Sequence, residues 1–370
     1  MRIVLTGGGT GGHAYPAISI AEALRSEFPE CELLYIGSKN SLEARLAAEA
    51  GLEFFGVTSR KLTKLVSPGA VLTAASLTGG FAEALAKLKS FKPDVVIGTG
   101  GYASAAVVMA QALRRGKTII LEQDVIPGRT NRWLSRFASR ICVAFEDAAW
   151  RFPGRKVIMT GSPIRAGLLH LPEREVARSV LGLDDGKFTV LVLGGSQGAR
   201  RLNEVTADAA SRLSELPVQV LHQVGQRNYG EAEERRAASG WKHYHVRAYI
   251  DDMRNAYAAA DLVMCRCGSS TIAEITAIGL PAILVPYPYA HADHQRLNAE
   301  FVACNGGGIV VNDGDLSADF FAGTVERLAA SPEEVQRMSE ASRELGKPNA
   351  AVEIARFAVE MASGKDTDTQ

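Results

Sequence analysis

The first sixteen residues contain the feature that most constrains the fold. Residues Arg2 to Leu5 predict a short, mostly apolar strand, and Ala17 to Glu27 predict an amphipathic helix. Between them lies a glycine-rich loop, Gly7 to His13. A strand, a glycine loop and a helix in this order let backbone N–H groups approach an anionic or polar group closely, with the positive end of the helix behind them. This order predicts a parallel α/β sheet with a ligand at its edge.

The same loop fits the dinucleotide-binding pattern G-x-G-x-x-G at Gly7, Gly9 and Gly12. That pattern also needs an acidic residue roughly 20 positions further on, at the end of the second strand. Here the second predicted strand, Cys31 to Ile36, ends in Gly37-Ser38. A nicotinamide cofactor is therefore disfavoured.

A second strand, glycine loop and helix recur in the latter half of the chain. Phe188 to Leu193 predict the strand, residues 194–199 the loop, and Arg200 to Leu213 the helix. Elsewhere short β-rich runs alternate with helical ones, which is typical of parallel strands with crossover helices. At 370 residues the chain exceeds the usual size of one domain. We predict two Rossmann-like, doubly wound α/β domains that face a cleft, with ligands outside the carboxyl ends of the strands.

The turn cluster Gly161-Ser162-Pro163 is the predicted boundary between the domains. We expect an N-terminal domain over residues 1–163 and a C-terminal domain over 164–347. A final helix over 348–362 is expected to pack back on the N-terminal domain, and the polar tail 363–370 to be disordered.

Composition restricts the compartment. The N-terminus lacks a signal pattern and no apolar run reaches the roughly 20 residues that span a bilayer, so we expect a cytoplasmic protein. The 5 cysteines are odd in number and lack C-x-x-C spacing, which favours reduced thiols over disulfides or metal ligands.

The formal net charge of zero conceals an asymmetry between the two halves. The first 163 residues carry an excess of Lys and Arg, and the remainder an excess of Asp and Glu. A basic half favours an anionic membrane surface or a phosphate-bearing partner, although two oppositely charged domains of an ordinary enzyme explain it equally well. Nucleic acid is disfavoured because the basic residues are scattered and the usual binding modules are absent.

The second domain contains a candidate diphosphate site. The predicted strand Leu262 to Cys265 leads through Gly268 into Ser269, Ser270 and Thr271, and we expect a helix to start near Thr271. The free N–H groups of such a helix start suit a diphosphate. Glu274 has two interpretations: it closes a capping box with Thr271, or it accepts hydrogen bonds from a ribose.

Polar residues also follow the next predicted strand. The amide of Gln295 offers a donor and an acceptor, which suits sugar hydroxyls. His291 and His294 lack an accompanying ligand set, which disfavours a metal. Asp313-Gly314-Asp315 is reminiscent of the carboxylate pair of metal-dependent glycosyl transfer, but its position among glycines favours a surface turn.

Taken together and in order, these motifs resemble those of the two-Rossmann-domain (GT-B) glycosyltransferases, and within them the bacterial peptidoglycan N-acetylglucosaminyltransferases of glycosyltransferase family 28. The resemblance covers nearly the whole chain. It is carried by Gly8 to His13, Gly98 to Tyr102, Glu122-Gln123, Pro127-Gly128 with Asn131, Gly161 to Arg165, Gly194 to Ala199, Tyr249-Ile250 with Met253, Arg266 to Glu274, and His291 to Asn298.

The resemblance implies that the C-terminal domain binds UDP-N-acetylglucosamine. Ile250 would meet uracil through its backbone, Glu274 the ribose, and Gln295 the sugar hydroxyls. The remaining donor-binding residues that it implies are Thr10, Gly11, Gly12, Asn131, Arg165, Ser196, Ser269, Ser270, Thr271, Ile272 and Ala273.

It further implies that the N-terminal domain binds an undecaprenyl-linked muramyl-pentapeptide at the cytoplasmic face of the cell membrane. The implied acceptor-binding residues are Thr10, Gly11, Gly12, His13, Tyr102 and Asn131. The stretch Leu62 to Leu77, with Arg60, Lys61 and Lys64 beside it, corresponds in position to the family's membrane-contact patch; an ordinary buried helix is the alternative.

The implied chemistry is a direct, inverting displacement without cofactor or metal. His13 is the candidate base that takes the proton of the acceptor's 4-hydroxyl, with acceptor positioning as its alternative role, and Glu122 is the second catalytic candidate. The sequence departs from the family pattern on the acceptor side, at Leu121, Asp124 and Ala105-Ala106. A transferase with another lipid or polyketide acceptor, a UDP-sugar 2-epimerase and a non-catalytic sugar-nucleotide sensor are the competing hypotheses.

Overall fold

The computed structural model describes residues 1–59, 68–195 and 197–364, without the side chains of residues 68–77 and Arg155. The chain divides into two compact units. Unit 1 comprises Met1–Ala166 together with the segment from Lys347 onward, and unit 2 comprises Gly167–Gly346. The predicted tail falls mostly outside the described residues.

Unit 1 is built on a parallel sheet of seven strands among the described residues, in the order β3-β2-β1-β4-β5-β6-β7. Strand β1 lies inside the sheet between β2 and β4, pairing Val4 with Leu34 of β2 and with Val96 of β4. The strands are β1 Arg2–Thr6, β2 Glu32–Ser38, β3 Glu53–Val57, β4 Val95–Gly98, β5 Lys117–Glu122, β6 Arg140–Val143 and β7 Val157–Met159.

Helices cover both faces of this sheet, as parallel strands require. They are α1 Gly11–Glu27, α2 Leu42–Glu49, α3 Pro68–Phe91, α4 Tyr102–Leu113, α5 Arg129–Leu134 and α6 Glu146–Ala149, with α16 Ala350–Ala362 at the end of the chain. The apolar face of α16 buries Ile354 and Ala358 in the same core as Ile20 and Leu24 of α1. Arg356 of α16 also pairs with Glu27 at 2.8 Å.

Unit 2 repeats the design with a six-stranded parallel sheet among its described residues, in the order β10-β9-β8-β11-β12-β13. The strands are β8 Phe188–Leu193, β9 Val218–Gln223, β10 Tyr244–Arg247, β11 Leu262–Cys265, β12 Ala282–Leu284 and β13 Gly308–Val310. The helices are α7 Arg174–Leu181, α8 Arg200–Asp208, α9 Ala210–Leu213, α10 Tyr229–Ser239, α11 Met253–Ala259, α12 Ser269–Ile278, α13 His294–Cys304, α14 Ala318–Ala329 and α15 Pro332–Glu344.

The predicted fold class, two doubly wound parallel α/β units, is confirmed. No helix within the described ranges combines the length and the hydropathy that crossing a bilayer requires.

Helix α1 starts at Gly11 rather than at Ala17, so His13 lies in its first turn and not in a loop. Pro16 lies inside the helix and has no N–H for the carbonyl of Gly12, four residues earlier. The side chain of Gln123, from the loop after β5, donates to that carbonyl at 3.0 Å. The helix therefore tolerates its proline because a distant residue supplies the missing donor.

Two helix boundaries in unit 2 also differ from prediction. The expected helix Arg200 to Leu213 is divided into α8 and α9. Helix α12 starts at Ser269, with Gly268 as its N-cap, so Thr271 lies within the first turn. A residue inside the helix cannot act as the N-cap, so the capping box of Thr271 with Glu274 is wrong.

Candidate functional site

The glycine loop after β1 is held against the loop after β4 by their backbones. The N–H of Gly8 donates to the carbonyl of Gly100 at 3.2 Å. Gly100 and Gly101 both have positive φ, +115° and +90°. A Cβ atom at Gly100 would lie 2.6 Å from His13 Nδ1, and one at Gly101 would lie 2.2 Å from the Gly8 carbonyl oxygen. Only glycine fits at these two positions, which explains the Gly-Gly pair before Tyr102.

The ring of His13 is oriented by the same contact. Its Nδ1 lies 3.1 Å from the carbonyl oxygen of Thr99, and the Thr99 hydroxyl donates to the His13 carbonyl at 2.6 Å. A carbonyl can only accept, so Nδ1 carries the proton and the neutral ring has its lone pair on Nε2. Burial lowers the pKa of His13, against the opposing effects of Asp124, the Thr99 bond and Glu43. The ring is therefore neutral, with a basic Nε2, near pH 7.

Glu43, which the sequence analysis missed, supports the glycine loop from α2. Its buried carboxylate accepts from the N–H groups of Ser38 at 3.1 Å and Gly9 at 3.4 Å. A Cβ atom on Gly8 would lie 2.1 Å from this carboxylate. The only signal in the sequence is an acidic residue in the first turn of a helix, which is too common to identify a site.

The start of α1 provides three of the four residues predicted to bind both substrates, the fourth being Asn131. Thr10 is the exposed N-cap, and its side chain makes no capping bond to the helix. Gly11 and Gly12 are the first two helical residues, whose N–H groups have no acceptor within the helix. This helix start can therefore receive an anionic or hydroxyl-bearing group.

Glu122 is enclosed by donors of its own chain. One carboxylate oxygen accepts from the N–H groups of Gln123 at 3.0 Å and Asp124 at 3.1 Å, and the other from Gly128 N–H and Asn131 Nδ2, both at 3.0 Å. Burial and the charge of Asp124 raise the pKa of Glu122 to about 7, whereas the hydrogen bonds from Asn131, Asp124 and Gly128 oppose the rise. The geometry favours a group that shapes the loop after β5 over one that reaches a substrate.

Asn131 is also committed to that loop. Besides its bond to Glu122, its Nδ2 donates to the carbonyl of Leu121 at 2.9 Å. Both amide protons are therefore used within unit 1, which leaves Oδ1 as the atom that can meet a ligand. Asn131 therefore holds the loop after β5 in place through its amide protons, and only its Oδ1 atom is left for the predicted contact with a substrate.

Tyr102 lines an apolar groove of about 360 Å³ in unit 1. The groove is formed by residues of α3, α4 and α5, and Trp133 on its wall is 47% exposed. Its lining consists of Phe81, Tyr102, Ala105, Ala106, Met109, Arg129, Thr130 and Trp133. The predicted membrane-contact stretch Leu62 to Leu77, with Arg60, Lys61 and Lys64, lies outside the described residues apart from the backbone of 68–77, which belongs to α3.

Arg165, predicted to bind the diphosphate, belongs to unit 1. Its guanidinium carbon lies 5.4 Å from the centre of the Tyr15 ring, a cation–π distance. Tyr15 is in the first part of α1, so the structure brings Arg165 to the helix that carries His13.

Unit 2 contains a cavity of about 710 Å³ at the carboxyl end of its sheet. The glycine loop after β8 and the start of α12 contribute to its wall through Gly195, Gly198, Gly268 and Thr271. The N–H groups of the first turn of α12 have no acceptors within the helix, and the buried hydroxyl of Ser270 has no hydrogen-bond partner among the described residues. Ser196 lies outside the described residues.

Ile272 and Ala273 follow this helix start. The N–H of Ile272 already donates to Gly268 at 3.0 Å, and its side chain is buried. The free donors of α12 are thus those of Ser269, Ser270 and Thr271, and the two following residues extend the helix behind them.

Glu274 is buried on α12, where its carboxylate accepts from the Tyr257 hydroxyl at 2.8 Å. Ile250, predicted to meet uracil, donates its N–H to Gln223 Oε1 at 2.9 Å. The carbonyl of Ile250 is consequently the backbone group that remains for the predicted contact with uracil. Both residues lie in unit 2, as does the start of α12, whereas Arg165 lies in unit 1.

Gln295 uses its acceptor within the chain. Its Oε1 accepts from the N–H groups of Cys267 at 3.1 Å and Tyr287 at 3.0 Å. The Nε2 group is therefore the part that can meet a sugar. The sequence predicted that the amide would offer a sugar both a donor and an acceptor, but the structure leaves the donor for this contact.

The Asp313-Gly314-Asp315 segment is a turn, but Asp313 lines the cavity instead of facing away from it. Its carboxylate pairs with Arg266 at 2.5 Å, whereas Asp315 accepts from Asn312 at 2.9 Å. In the part of the chain that the structure describes, no three His, Cys, Asp or Glu side chains are grouped as metal ligands.

Two family models match most of this chain. The glycosyltransferase family 28 N-terminal domain matches residues 3–143, and the glycosyltransferase family 28 C-terminal domain matches residues 189–354. Among curated proteins, the UDP-N-acetylglucosamine--N-acetylmuramyl-(pentapeptide) pyrophosphoryl-undecaprenol N-acetylglucosamine transferase of Desulforudis audaxviator is 40% identical over 99% of this chain and 100% of its own length.

Solved structures give the same picture of the fold. Acinetobacter baumannii MurG superposes with a TM-score of 0.75 at 26% identity, covering 97% of this chain and 99% of that one. A UDP-N-acetylglucosamine 2-epimerase superposes with a TM-score of 0.69 at 13% identity over 100% of this chain and 98% of its own. At that identity the second likeness shows the fold alone.

The enclosure of Glu122 leads to a testable expectation. Glu122→Gln turns one accepting oxygen into an NH₂ group facing an N–H donor, so we expect the free energy of unfolding to fall by about 1–3 kcal/mol at pH 8. Thermal or denaturant unfolding measures this change. Glu146→Gln, an exposed carboxylate on α6, is the control. Unchanged stability in Glu122→Gln would contradict the positioning role.

Proposed function

This chain belongs to glycosyltransferase family 28, and we infer from that membership that it transfers N-acetylglucosamine from UDP-N-acetylglucosamine to the 4-hydroxyl of undecaprenyl-pyrophosphoryl-N-acetylmuramyl-pentapeptide. The observation that carries this is the 40% identity, over the full length of both chains, to a relative named for this transfer. The reaction is a step of peptidoglycan synthesis. The enzyme is a UDP-N-acetylglucosamine-dependent hexosyltransferase.

The donor is assigned to unit 2. The glycine loop after β8 and the start of α12 would hold the diphosphate by backbone N–H groups, with the helix dipole favouring its charge. Glu274 would accept from the ribose, the Ile250 carbonyl would meet the uracil, and Gln295 would donate to the sugar. As UDP leaves, it gains negative charge, which the α12 start would stabilise. This mechanism requires no metal ion or cofactor.

The acceptor is assigned to unit 1, at the start of α1. We infer that Nε2 of His13 takes the proton from the acceptor's 4-hydroxyl while that oxygen attacks the anomeric carbon and the bond from this carbon to the UDP oxygen breaks. The configuration inverts and no covalent intermediate forms. The Thr99 carbonyl fixes the tautomer that this step needs. Glu122 and Asn131 would act by shaping the adjoining loop.

We further infer that the protein works at the cytoplasmic face of the membrane as a peripheral protein. Its acceptor carries a polyprenyl chain, and the groove beside Tyr102 in the same unit is apolar, with the cationic Arg129 on its wall. An apolar surface with a basic residue suits the boundary between acyl chains and anionic headgroups.

The test of the function is UDP release from UDP-N-acetylglucosamine, measured with and without a short-chain analogue of the lipid-linked muramyl-pentapeptide. We expect release only with acceptor, together with a new disaccharide product. Turnover of UDP-N-acetylglucosamine without any acceptor would instead favour an epimerase. Donor binding without release in either condition would point to a different acceptor or to a sensor.

His13 determines the expected pH dependence. Its lowered pKa means that the neutral base is lost only as pH falls below about 6.5, so kcat should decline on that acidic side. In His13→Ala we expect kcat to fall by about 10² to 10⁴ and the acidic decline attributable to this group to disappear. Steady-state kinetics from pH 5 to 8 would measure both.

The matched control for this variant is His170→Ala, an exposed histidine in unit 2. It should keep the wild-type kcat and pH profile. If the kcat of His13→Ala stayed within a few fold of the wild-type value, the assignment of His13 as the base would be contradicted. His13 would then have an acceptor-positioning role.

The apolar groove makes a separate prediction. Trp133→Ser removes the large exposed side chain of the groove, so co-sedimentation with anionic lipid vesicles should weaken by about 10-fold or more. Trp150→Ser, which removes an 82% exposed tryptophan that does not line the groove, is the control. Equal vesicle binding by both variants would argue against the groove as the membrane contact.

A further inference from the structure

The order of the strands in unit 2 arranges the candidate donor contacts along one sheet edge. Ile250 follows β10, the glycine loop follows β8, and the start of α12 follows β11. The carboxyl ends of parallel strands lie at one edge, so base-binding and phosphate-binding groups succeed each other in this order. The next positions along the edge belong to the loops after β12 and β13.

Those last two loops offer groups of a different chemistry. Tyr287 and Pro288 follow β12, and Asp313 follows β13, the outermost strand. From β11 to β13 is two strand spacings, or roughly 10 Å. The cavity continues over this distance, since all three residues line it together with Gly268 and Thr271. Unit 2 therefore has room beyond the phosphate-binding groups, on the side where the sugar of a nucleotide donor would extend.

The groups in this part of the cavity suit a polyol. Gln295 offers its Nε2 group as a donor, since its Oε1 atom already accepts from two backbone N–H groups. Tyr287 is 44% exposed and offers an aromatic face to a sugar ring. Asp313 adds an acceptor. A donor, an acceptor and an aromatic surface are together the means by which proteins bind sugar hydroxyls and ring C–H groups.

Arg266 pairs with Asp313 through one terminal nitrogen and contacts the loop after β12 through the other, while its buried Nε has no hydrogen-bond partner among the described residues. Its guanidinium donates to the carbonyls of Val285 at 3.2 Å and Pro286 at 3.1 Å, and pairs with Asp313 at 2.5 Å. It also lies 5.7 Å from the ring centre of Tyr287. These contacts join the loops after β12 and β13 and hold the Asp313 carboxylate at the cavity wall.

We propose that Asp313 accepts a hydrogen bond from a hydroxyl of the transferred hexose and is a specificity-determining residue for the sugar of the donor. The proposal rests on the proposed function, because it takes the ligand of unit 2 to be a UDP-sugar. It assigns to the outermost loop of the sheet a direct contact with the ligand.

The test compares UDP with UDP-N-acetylglucosamine by calorimetry, using Asp313→Ala and the isosteric Asp313→Asn. We expect the Kd of UDP-N-acetylglucosamine to rise about 10- to 100-fold in Asp313→Ala, which corresponds to one hydrogen bond to a charged acceptor, and by less in Asp313→Asn. The Kd of UDP, which lacks the sugar, should stay within about twofold. Asp315→Asn, in the same turn and exposed, is the control and should change neither constant.

Donors lacking one hydroxyl identify the partner. The Kd values of UDP-N-acetylglucosamine and of its 3-, 4- and 6-deoxy analogues are measured with wild type and with Asp313→Ala. Each analogue, compared with the parent donor in both proteins, forms a thermodynamic cycle. One of the three should bind wild type about 10- to 100-fold more weakly than the parent donor, yet bind Asp313→Ala as well as the parent does. That donor lacks the hydroxyl that Asp313 accepts from.

The outcomes separate the two hypotheses. Parallel losses of UDP and UDP-N-acetylglucosamine affinity in the Asp313 variants would mean that Asp313 only supports Arg266, and would overturn the proposal. Equal penalties for every deoxy donor in wild type and variant would do the same. Because the test measures binding, it stands even if wild type releases no UDP with the lipid-linked acceptor, a result that would contradict the proposed function alone.

Discussion

The close approach of two backbone turns, at Gly8 and Gly100, determines the geometry of the unit 1 site. Their hydrogen bond brings the loops after β1 and β4 so close that no side chain fits between them. The adjoining Thr99 then exchanges two hydrogen bonds with His13, one through its carbonyl and one through its hydroxyl. The tautomer of the histidine follows from a backbone constraint, which is less easily disturbed than a contact between two flexible side chains.

Most of the fold could be predicted because its signals are local. Apolar runs such as Phe188–Leu193 and the glycine loops after them identify parallel strands without reference to the rest of the chain. The start of α1 could not be predicted in this way. Pro16 and the glycines before it normally end a helix, and the donor that compensates for the proline belongs to Gln123, more than a hundred residues away.

The residues of the candidate site likewise fall into those that a local sequence pattern identifies and those that depend on distant contacts. His13 and the start of α12 are recognisable because a glycine loop beside a strand is a local pattern. Glu43 and Asp313 are not, since each is defined by what it contacts. Asp313 has the sequence surroundings of a surface turn, and it is a turn. Its position in the cavity depends on β13 lying next to β12 and on Arg266 reaching across from the loop after β11.

The two units are both doubly wound parallel sheets, but the polar groups at their sheet edges differ. In unit 1 the polar groups of the loop after β5 largely satisfy one another, as Glu122 and Asn131 do, whereas His13 keeps a well-oriented lone pair. In unit 2 the start of α12 keeps backbone N–H groups without intrahelical acceptors. Proton transfer needs one basic atom in a fixed place, whereas a diphosphate needs several donors and favourable charge. The base is therefore proposed for unit 1, where Thr99 fixes the ring of His13, and the nucleotide for unit 2, where the free donors of α12 border a cavity of about 710 Å³.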